Sequence, residues 1–239
     1  MKKLSIIIVA ILCTNACTKN EVSFNDLVEI RESRDFIIAN AQDTITYVLK
    51  FNNEATISLI KAKAEVTNGI FIDNDENELV IEPIRNVEDE IEVIVQVRST
   101  TRASPMEVEF NINEYKTRYI VTSQKSIPSN INIEASAFSV GNSYESEVTL
   151  TGSLSSEIGR KVSDGYQVVI KDTFEDGTPV NGVYRASALI TNNGLISVVY
   201  SPGNISPNQF ITIEAIVIDE NGLETDIVNQ LQLYITATD

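Results

Sequence analysis

The chain has 239 residues, 43% of them apolar, and a formal net charge of −16. It has no His and no Trp, and both of its Cys lie within the first 17 residues. The lack of His excludes Ser-His-Asp and Cys-His catalysis and the usual Cys/His zinc sites. An acidic surface repels nucleic acid, so we expect no nucleic-acid partner. We also expect no cofactor.

The N-terminal residues have the organisation of an export signal. Two lysines open the chain, and the apolar run 4–12 follows. That run is too short for a membrane-spanning helix, which needs ~20 apolar residues, but it suits a signal peptide. The small residue Ala16 then precedes Cys17, and this junction resembles the bacterial lipobox.

The resemblance implies that Cys17 receives a diacylglycerol and then palmitate, and that residues 1–16 are removed as a signal peptide. Residues 17–24 are then a lipidated tether. Thr18 follows the Cys in place of the Asp that retains such lipoproteins in the inner membrane, which favours the outer membrane. The alternative is an ordinary signal peptide cut near Ala16, leaving a free thiol.

Alternating apolar and polar residues predict β-strands in the first part of the chain. The predicted strands cover residues 44–51, 57–64, 91–97, 106–112 and 119–122. Turn residues separate them, at Asn68-Gly69 and at 73–77 among others. Residues 27–40 have the least regular pattern and could hold a helical turn.

A polar stretch around Pro128 interrupts this pattern, and a second strand series follows it. The predicted strands there cover residues 147–151, 166–171, 185–191, 195–200, 210–218 and 231–236. Asn193-Gly194 and Asn221-Gly222 stand between alternating segments, which is a strong hairpin signal.

We therefore predict an all-β chain with two tandem immunoglobulin-like β-sandwich domains. The first covers residues 25–124, the second covers 131–239, and 125–130 form the linker. Neither domain has a Cys for a disulfide, so each must fold by apolar burial, which ~100 residues allow.

Two motifs in the second domain resemble the immunoglobulin-like repeats of invasin- and intimin-type bacterial surface proteins. One is DGTPVNGV at residues 176–183, and the other is TNNGLISVVY at 191–200. In this pattern Gly182 serves a tight bend and Gly194 takes a positive φ. The first domain has a fainter match that begins at residue 37, with Ala41 where those repeats have Gly. The family implies surface display, spacing or adhesion, and it supplies no catalytic residues.

The densest acidic run offers a weak Ca²⁺ candidate. Asp73, Asp75 and Asn77 place oxygen ligands at alternate positions. The run fails the EF-hand pattern, because Glu78 stands where Gly is required and Ile84 stands at the twelfth position. A solvated turn between two strands explains the run equally well.

We predict no enzymatic activity. Paired carboxylates can hydrolyse glycosides without His, but acidic proteins contain many such pairs by chance. The acidic stretches 88–90 and 219–220 are predicted to be turns. Four aromatic residues of the second domain allow two interpretations: Tyr166, Tyr184, Tyr200 and Phe210. They could form a binding patch, or most of them could alternate into the core.

The sequence thus favours a non-enzymatic surface or outer-membrane lipoprotein that acts in adhesion or protein–protein interaction. Its expected partners are the membrane, through the lipid on Cys17, and a protein at the cell envelope, with a glycan as a further possibility. Two alternatives stay open: a glycan-binding accessory lipoprotein of a nutrient-uptake system, and a structural subunit of an envelope, secretion or fimbrial assembly. An exposed row of Tyr or Phe on one sheet would favour the glycan alternative.

Overall fold

The computed structural model describes residues 24–52, 60–85, 90–185 and 189–238. These residues form seventeen β-strands and one four-residue helix. The strands group into four sheets, and no strand pairing joins the sheets of residues 28–125 to those of residues 130–236. We call these two groups the N-terminal and the C-terminal sandwich.

The N-terminal sandwich holds two sheets, in the orders β1-β3-β7-β5 and β2-β9-β8-β4-β6. Its pairings are antiparallel except for β2, which runs parallel to β9. Its elements are α1 (Phe24–Leu27), β1 (Val28–Glu32), β2 (Phe36–Ala39), β3 (Thr44–Phe51), β4 (Ala62–Thr67), β5 (Gly69–Phe71), β6 (Glu78–Ile81), β7 (Ile91–Ser99), β8 (Met106–Ile112) and β9 (Tyr115–Lys125).

The C-terminal sandwich holds two four-stranded sheets, in the orders β10-β12-β15-β14 and β11-β17-β16-β13. These orders match the ABED and GFC sheets of an immunoglobulin fold, with β11 as an added short strand. Its elements are β10 (Asn130–Ala135), β11 (Ser139–Gly141), β12 (Val148–Ser155), β13 (Gln167–Phe174), β14 (Val183–Arg185), β15 (Leu195–Ser201), β16 (Gln209–Ile218) and β17 (Glu224–Thr236).

Each sandwich has its own hydrophobic core. In the N-terminal sandwich Tyr47 packs edge-on against Phe110, with 5.3 Å between ring centroids. In the C-terminal sandwich the Tyr200 hydroxyl donates to the buried Asp172 Oδ2 at 2.9 Å. Burial and the nearby carboxylate raise the pKa of Tyr200. The prediction of an all-β, immunoglobulin-like sandwich fold is therefore confirmed.

Most predicted strands are present, and the differences have local causes. The predicted strands at 44–51 and 106–112 have the observed bounds, while β9 begins four residues before the predicted 119. Of the strand predicted at 185–191, residues 186–188 lie outside the described residues; Arg185 is the last residue of β14, and Ile190 bridges to Gln167 of the opposite sheet. Arg185 and Ile190 therefore pair with different sheets.

Further differences occur in both sandwiches. In the C-terminal sandwich β10 and β11 were not predicted, β12 and β13 extend beyond their predicted ends, and β17 begins at Glu224, seven residues before the predicted 231. The others lie in the N-terminal sandwich. Residues 27–40 form β1 and β2, and the helical turn precedes them at Phe24–Leu27. Of the strand predicted at 57–64, residues 57–59 lie outside the described residues, and β4 begins at Ala62. The short strands β5 and β6 were missed because three or four residues are too few for an alternation signal.

The two glycines singled out in the sequence have different roles. Gly194 has φ of 75° and follows Asn193 at 54°, which makes the predicted two-residue hairpin turn. Gly182 does not have a positive φ; Asn181 before it does, at 59°. A Cβ on Gly182 would instead collide with the Tyr200 ring and the Asp172 carboxylate. Gly182 is thus required for close packing and not for a bend.

The two sandwiches meet at a polar junction centred on Ser163, which is fully buried. The Ser163 hydroxyl donates to the carbonyl of Ala39 at the end of β2, at 2.8 Å. The same hydroxyl accepts the N–H of Ser126, which follows β9, at 2.9 Å. The N–H of Asp164 donates to the carbonyl of Thr101 at 2.8 Å. These bonds hold the C-terminal sandwich against the last residues of β2 and β9.

We expect Ser163→Ala to loosen this junction. The substitution leaves the Ala39 carbonyl and the Ser126 N–H buried without a partner, which costs about 1–3 kcal/mol. Amide hydrogen exchange at Ser126 and Asp164 should accelerate by at least several-fold. Ser153→Ala, on an exposed position of β12, is the matched control and should leave both amides unchanged. Unchanged exchange in the Ser163 variant would show that the hydroxyl does not hold the junction.

We expect Ala41→Gly to stabilise the N-terminal sandwich. Ala41 has φ of 60°, in the left-handed region where a side chain other than Gly costs about 1–2 kcal/mol. Glycine loses some of this gain through its larger unfolded-state entropy, so the net increase in unfolding free energy should be about 1 kcal/mol. Urea unfolding measures it. Ala103→Gly, at an exposed position with ordinary φ, should not stabilise.

Candidate functional site

The described surface has a group of three aromatic residues at the β11-β17-β16-β13 sheet, in which the central ring, Phe210, contacts both of the others. We call Phe138, Phe210 and Tyr234 the aromatic cluster. The ring centroids of Phe138 and Phe210 are 6.2 Å apart, and those of Phe210 and Tyr234 are 5.0 Å apart. Phe138 is 72% exposed and Phe210 is 45% exposed. Exposed aromatic rings in mutual contact are unusual on a polar surface and indicate a contact site.

Strand pairing holds the aromatic cluster together. Phe210 of β16 lies directly opposite Tyr234 of β17 in the antiparallel register. Phe138 reaches them because β11 runs parallel to β17, and the Tyr234 N–H donates to the Phe138 carbonyl at 3.1 Å. The rings are thus fixed by backbone hydrogen bonds of the sheet, which limits the entropy lost on binding.

A wide polar hollow lies beside the aromatic cluster, between the loop after β13 and the loop before β16. Its volume is about 560 Å³. Gln209, which precedes Phe210, lies at its border. Most of the lining side chains carry amides, hydroxyls or carboxylates; the lining consists of Phe174, Glu175, Asp176, Thr178, Asn204, Ile205, Ser206 and Gln209.

Hydrogen bonds within the two loops preorganise this lining. Asp176 Oδ1 accepts the Thr178 N–H at 2.9 Å and the Thr178 hydroxyl at 2.6 Å. These bonds lower the pKa of Asp176 below its usual value. Gln209 Nε2 donates to the Ser206 carbonyl at 2.5 Å. The hollow therefore presents an ionised carboxylate together with neutral polar groups.

The aromatic cluster lies at the end of the C-terminal sandwich that faces away from the junction. Glu220, just after β16, forms an ion pair with Lys125 at the junction, with Nζ and Oε1 2.6 Å apart. Phe210 lies near the opposite end of β16, eight residues before Ile218, or roughly 26 Å at ~3.3 Å per residue. We call this end of the C-terminal sandwich the distal end.

The four aromatic residues considered in the sequence divide between core and surface. Tyr200 is fully buried, and Tyr166 and Tyr184 pack partly buried against the same core. Phe210 is exposed and belongs to the aromatic cluster. The interpretation that most of them lie in the core is correct, and the one exception is part of the candidate site.

The weak calcium candidates lie in the turn between β5 and β6, which is part of the N-terminal sandwich. Asp75 has φ of 57°, and its carboxylate pairs with Arg98 Nη2 at 2.7 Å. Asp73 and Asn77 lie in the same exposed turn. Among the described residues no group of three or more His, Cys, Asp or Glu side chains is arranged to hold a metal ion.

Several predicted features lie outside the described residues. These are Cys17 with the signal peptide and most of the tether, and residues 88 and 89 of the acidic stretch 88–90. The stretch at 219–220 is a turn, as predicted: Asp219 Oδ1 accepts the N–H groups of Asn221 and Leu223 at 2.9 and 2.8 Å. Within the described part no helix has the length and apolar character needed to cross a membrane.

Phe138 and Tyr234 are the site residues that sequence reasoning missed. Tyr234 falls inside the strand predicted at 231–236, on the face opposite the buried Leu233 and Ile235, and this alternation could have revealed its outward direction. Phe138 lies in a short connection between β10 and β11, where no periodicity assigns a face.

No family model matches the chain, and no curated protein matches it in sequence. Solved structures match at low identity. The adhesin InvE of Yersinia pseudotuberculosis is 12% identical, with 89% of this chain and 61% of that chain covered and a TM-score of 0.44. InvD of the same species is 12% identical, with 90% and 59% covered and a TM-score of 0.41.

A titin fragment is similar to the same degree, at 13% identity with 89% of this chain and 100% of that chain covered and a TM-score of 0.41. The chain spans about 61% of InvE. At such identities and scores the similarity carries no information on a ligand, so a function has to be argued from the surface itself.

Proposed function

We propose that this chain is a non-enzymatic lipoprotein of the cell envelope that acts in adhesion and binds its ligand at the distal end of the C-terminal sandwich. The observation that carries the proposal is the aromatic cluster of Phe138, Phe210 and Tyr234. Exposed aromatic anchors supply much of the free energy of recognition when they become buried by a ligand. The cluster lies where a ligand has free access, away from the junction.

The direction of the first strands supports this arrangement. β3 begins at Thr44, next to Asp43, whose carbonyl accepts the N–H of Ser99 near the junction. β3 then runs away from the junction to Phe51, and Val28 at the start of β1 pairs with Phe51. Val28 therefore lies at the end of the N-terminal sandwich opposite the junction, and the proposed tether would begin at that end. A lipid on the tether and a ligand on the aromatic cluster would lie at opposite ends of the molecule.

The anchor and the domain limits belong to the same proposal. We infer a signal peptide at 1–16, lipidation of Cys17 with a tether to residue 24, and an outer-membrane location. We further infer that residues 25–124 and 131–239 are two domains joined at 125–130. The two separate hydrophobic cores support this division, and β9 ends at Lys125 while β10 begins at Asn130.

Glycan binding is the second candidate function, since the aromatic cluster is the kind of exposed aromatic group that it requires. An uptake-system accessory lipoprotein and an adhesin would both use such a surface, and they differ in the ligand. The third alternative, a structural subunit of an envelope assembly, requires a stoichiometric protein partner. The described surface has no feature that favours it over the other two.

Adhesion should depend on the aromatic cluster. Bacterial cells displaying the lipidated full chain should adhere to at least one of three coated surfaces: mucin, fibronectin or a plain polysaccharide. Phe138→Ala with Phe210→Ala should reduce the adhering cells at least tenfold, since losing hot-spot aromatics costs about 2 kcal/mol or more and 1.4 kcal/mol is tenfold. Ile120→Ala, equally exposed on β9 of the N-terminal sandwich, is the control. Equal adhesion of all variants would contradict the proposed binding end.

The anchor has a separate test. Cells fed a labelled palmitate analogue should incorporate it into the wild-type chain and lose it in Cys17→Ser, because the Cys17 thiol is the attachment point of the diacylglycerol that carries the acyl chains. Cys13→Ser is the matched control and should retain the label, since Cys13 belongs to the removed segment. Label that survives in Cys17→Ser would show that the lipid, if any, is attached elsewhere.

A further inference from the structure

We propose that the aromatic cluster and the adjoining hollow bind a neutral carbohydrate chain. This inference rests on the proposed function, because it names the ligand class of the same distal site. Three observations support it: the open presentation of the rings, the polar lining of the hollow, and the sign of its charge.

The rings have the exposure and arrangement that sugar stacking requires. The C–H groups on one face of a pyranose carry partial positive charge and stack on the electron-rich face of an aromatic ring. Phe138, at 72% exposure, leaves much of its ring open to such a contact. The planes of Phe138 and Phe210 differ by 73°, so neighbouring rings face different directions. A chain of linked sugars, whose successive rings also change direction, fits this arrangement of aromatic rings better than a single flat molecule does.

The hollow supplies hydrogen-bonding groups of the matching kind. Sugar hydroxyls are both donors and acceptors, and carboxylates, amides and hydroxyls pair with them in either sense. Glu175, Asn204 and Ser206 provide one group of each type within the same lining. Gln209 lines the hollow and precedes Phe210, so the hollow begins one residue from the aromatic cluster. Because consecutive side chains of a strand point to opposite faces, a ligand must extend past the stacked sugar to reach these polar groups, as a carbohydrate chain does.

The charge of the site selects against anionic sugars. The lining of the hollow contains two carboxylates, Glu175 and Asp176, and neither Lys nor Arg. A sialylated, uronic or sulfated glycan would therefore bring like charges together without a compensating cation. The chain as a whole, with a net charge of −16, adds to this repulsion. A neutral glycan avoids the penalty.

A protein ligand fits the same observations less well. Protein hot spots gain their energy where surrounding contacts exclude water from the buried aromatic anchor. Here the hollow that begins at Gln209, next to Phe210 in the chain, has a volume of about 560 Å³, is open to solvent and is lined mainly by polar side chains. Filling such a space requires a ligand with many hydroxyls, which replaces bound water by equivalent hydrogen bonds.

Affinity electrophoresis of the purified full chain tests the inference. Native gels containing a neutral polysaccharide, drawn from a panel of dextran, amylose, xylan, mannan, glucomannan and laminarin, should retard the wild-type chain in at least one case. Alginate and chondroitin sulfate, as anionic probes, should not retard it. Phe210→Ala should weaken the retardation at least tenfold, while Ile120→Ala should bind as the wild type does. Since both side chains are exposed, thermal unfolding should be nearly unchanged in both variants.

The outcomes separate this inference from the proposed function. Retardation by the anionic probes, insensitivity to Phe210→Ala, or no retardation across the panel and on a broad glycan array would overturn the neutral carbohydrate ligand. If cells then still adhere to fibronectin through Phe138 and Phe210, the ligand is a protein and the adhesion role stands. If adhesion is also insensitive to both rings, the proposed function fails as well.

Discussion

The buried Ser163 hydroxyl is the contact on which the arrangement of this molecule depends. It donates to Ala39 and accepts from Ser126, so one side chain joins the last residues of β2 and β9 to the C-terminal sandwich. An unpaired polar group in such a dry position is costly, which makes relative motion of the sandwiches unfavourable. The exposed ion pair between Lys125 and Glu220 adds little, because solvent screens it. Because these bonds hold one end of the C-terminal sandwich against the N-terminal sandwich, the opposite end is the distal one.

The strands whose bounds the sequence predicted correctly have one buried face and one solvent-exposed face. Strands β3 and β8 alternate over seven or eight residues, and a shift by one residue would expose the whole apolar set, so their bounds follow from the pattern. Strands of three or four residues have no such constraint, and β5 and β6 were missed. Asn193-Gly194 was predictable because the turn type requires two positive φ values.

The candidate site was only partly predictable, because its members meet through pairing that leaves no local trace. Phe210 was considered, but Tyr234 joins it through the antiparallel register of β16 with β17, and Phe138 joins through the parallel pairing of β11 with β17. Tyr200, which has the same side chain as Tyr234, packs in the core instead. Residue type alone therefore does not distinguish an aromatic residue of the core from one at the candidate site. The face of the sheet on which the residue lies distinguishes them.

The two sandwiches carry different kinds of side chains on equivalent sheet faces. On β8 and β9 several outward side chains form ion pairs: Lys116 and Arg118 of β9 contact Glu109. Exposed charges of alternating sign keep such a sheet face hydrated and discourage docking. The corresponding strands β16 and β17 carry Phe210 and Tyr234 in place of such a pair. The rings thus occur on the sandwich that lies later in the chain, and the charged pairs on the earlier one.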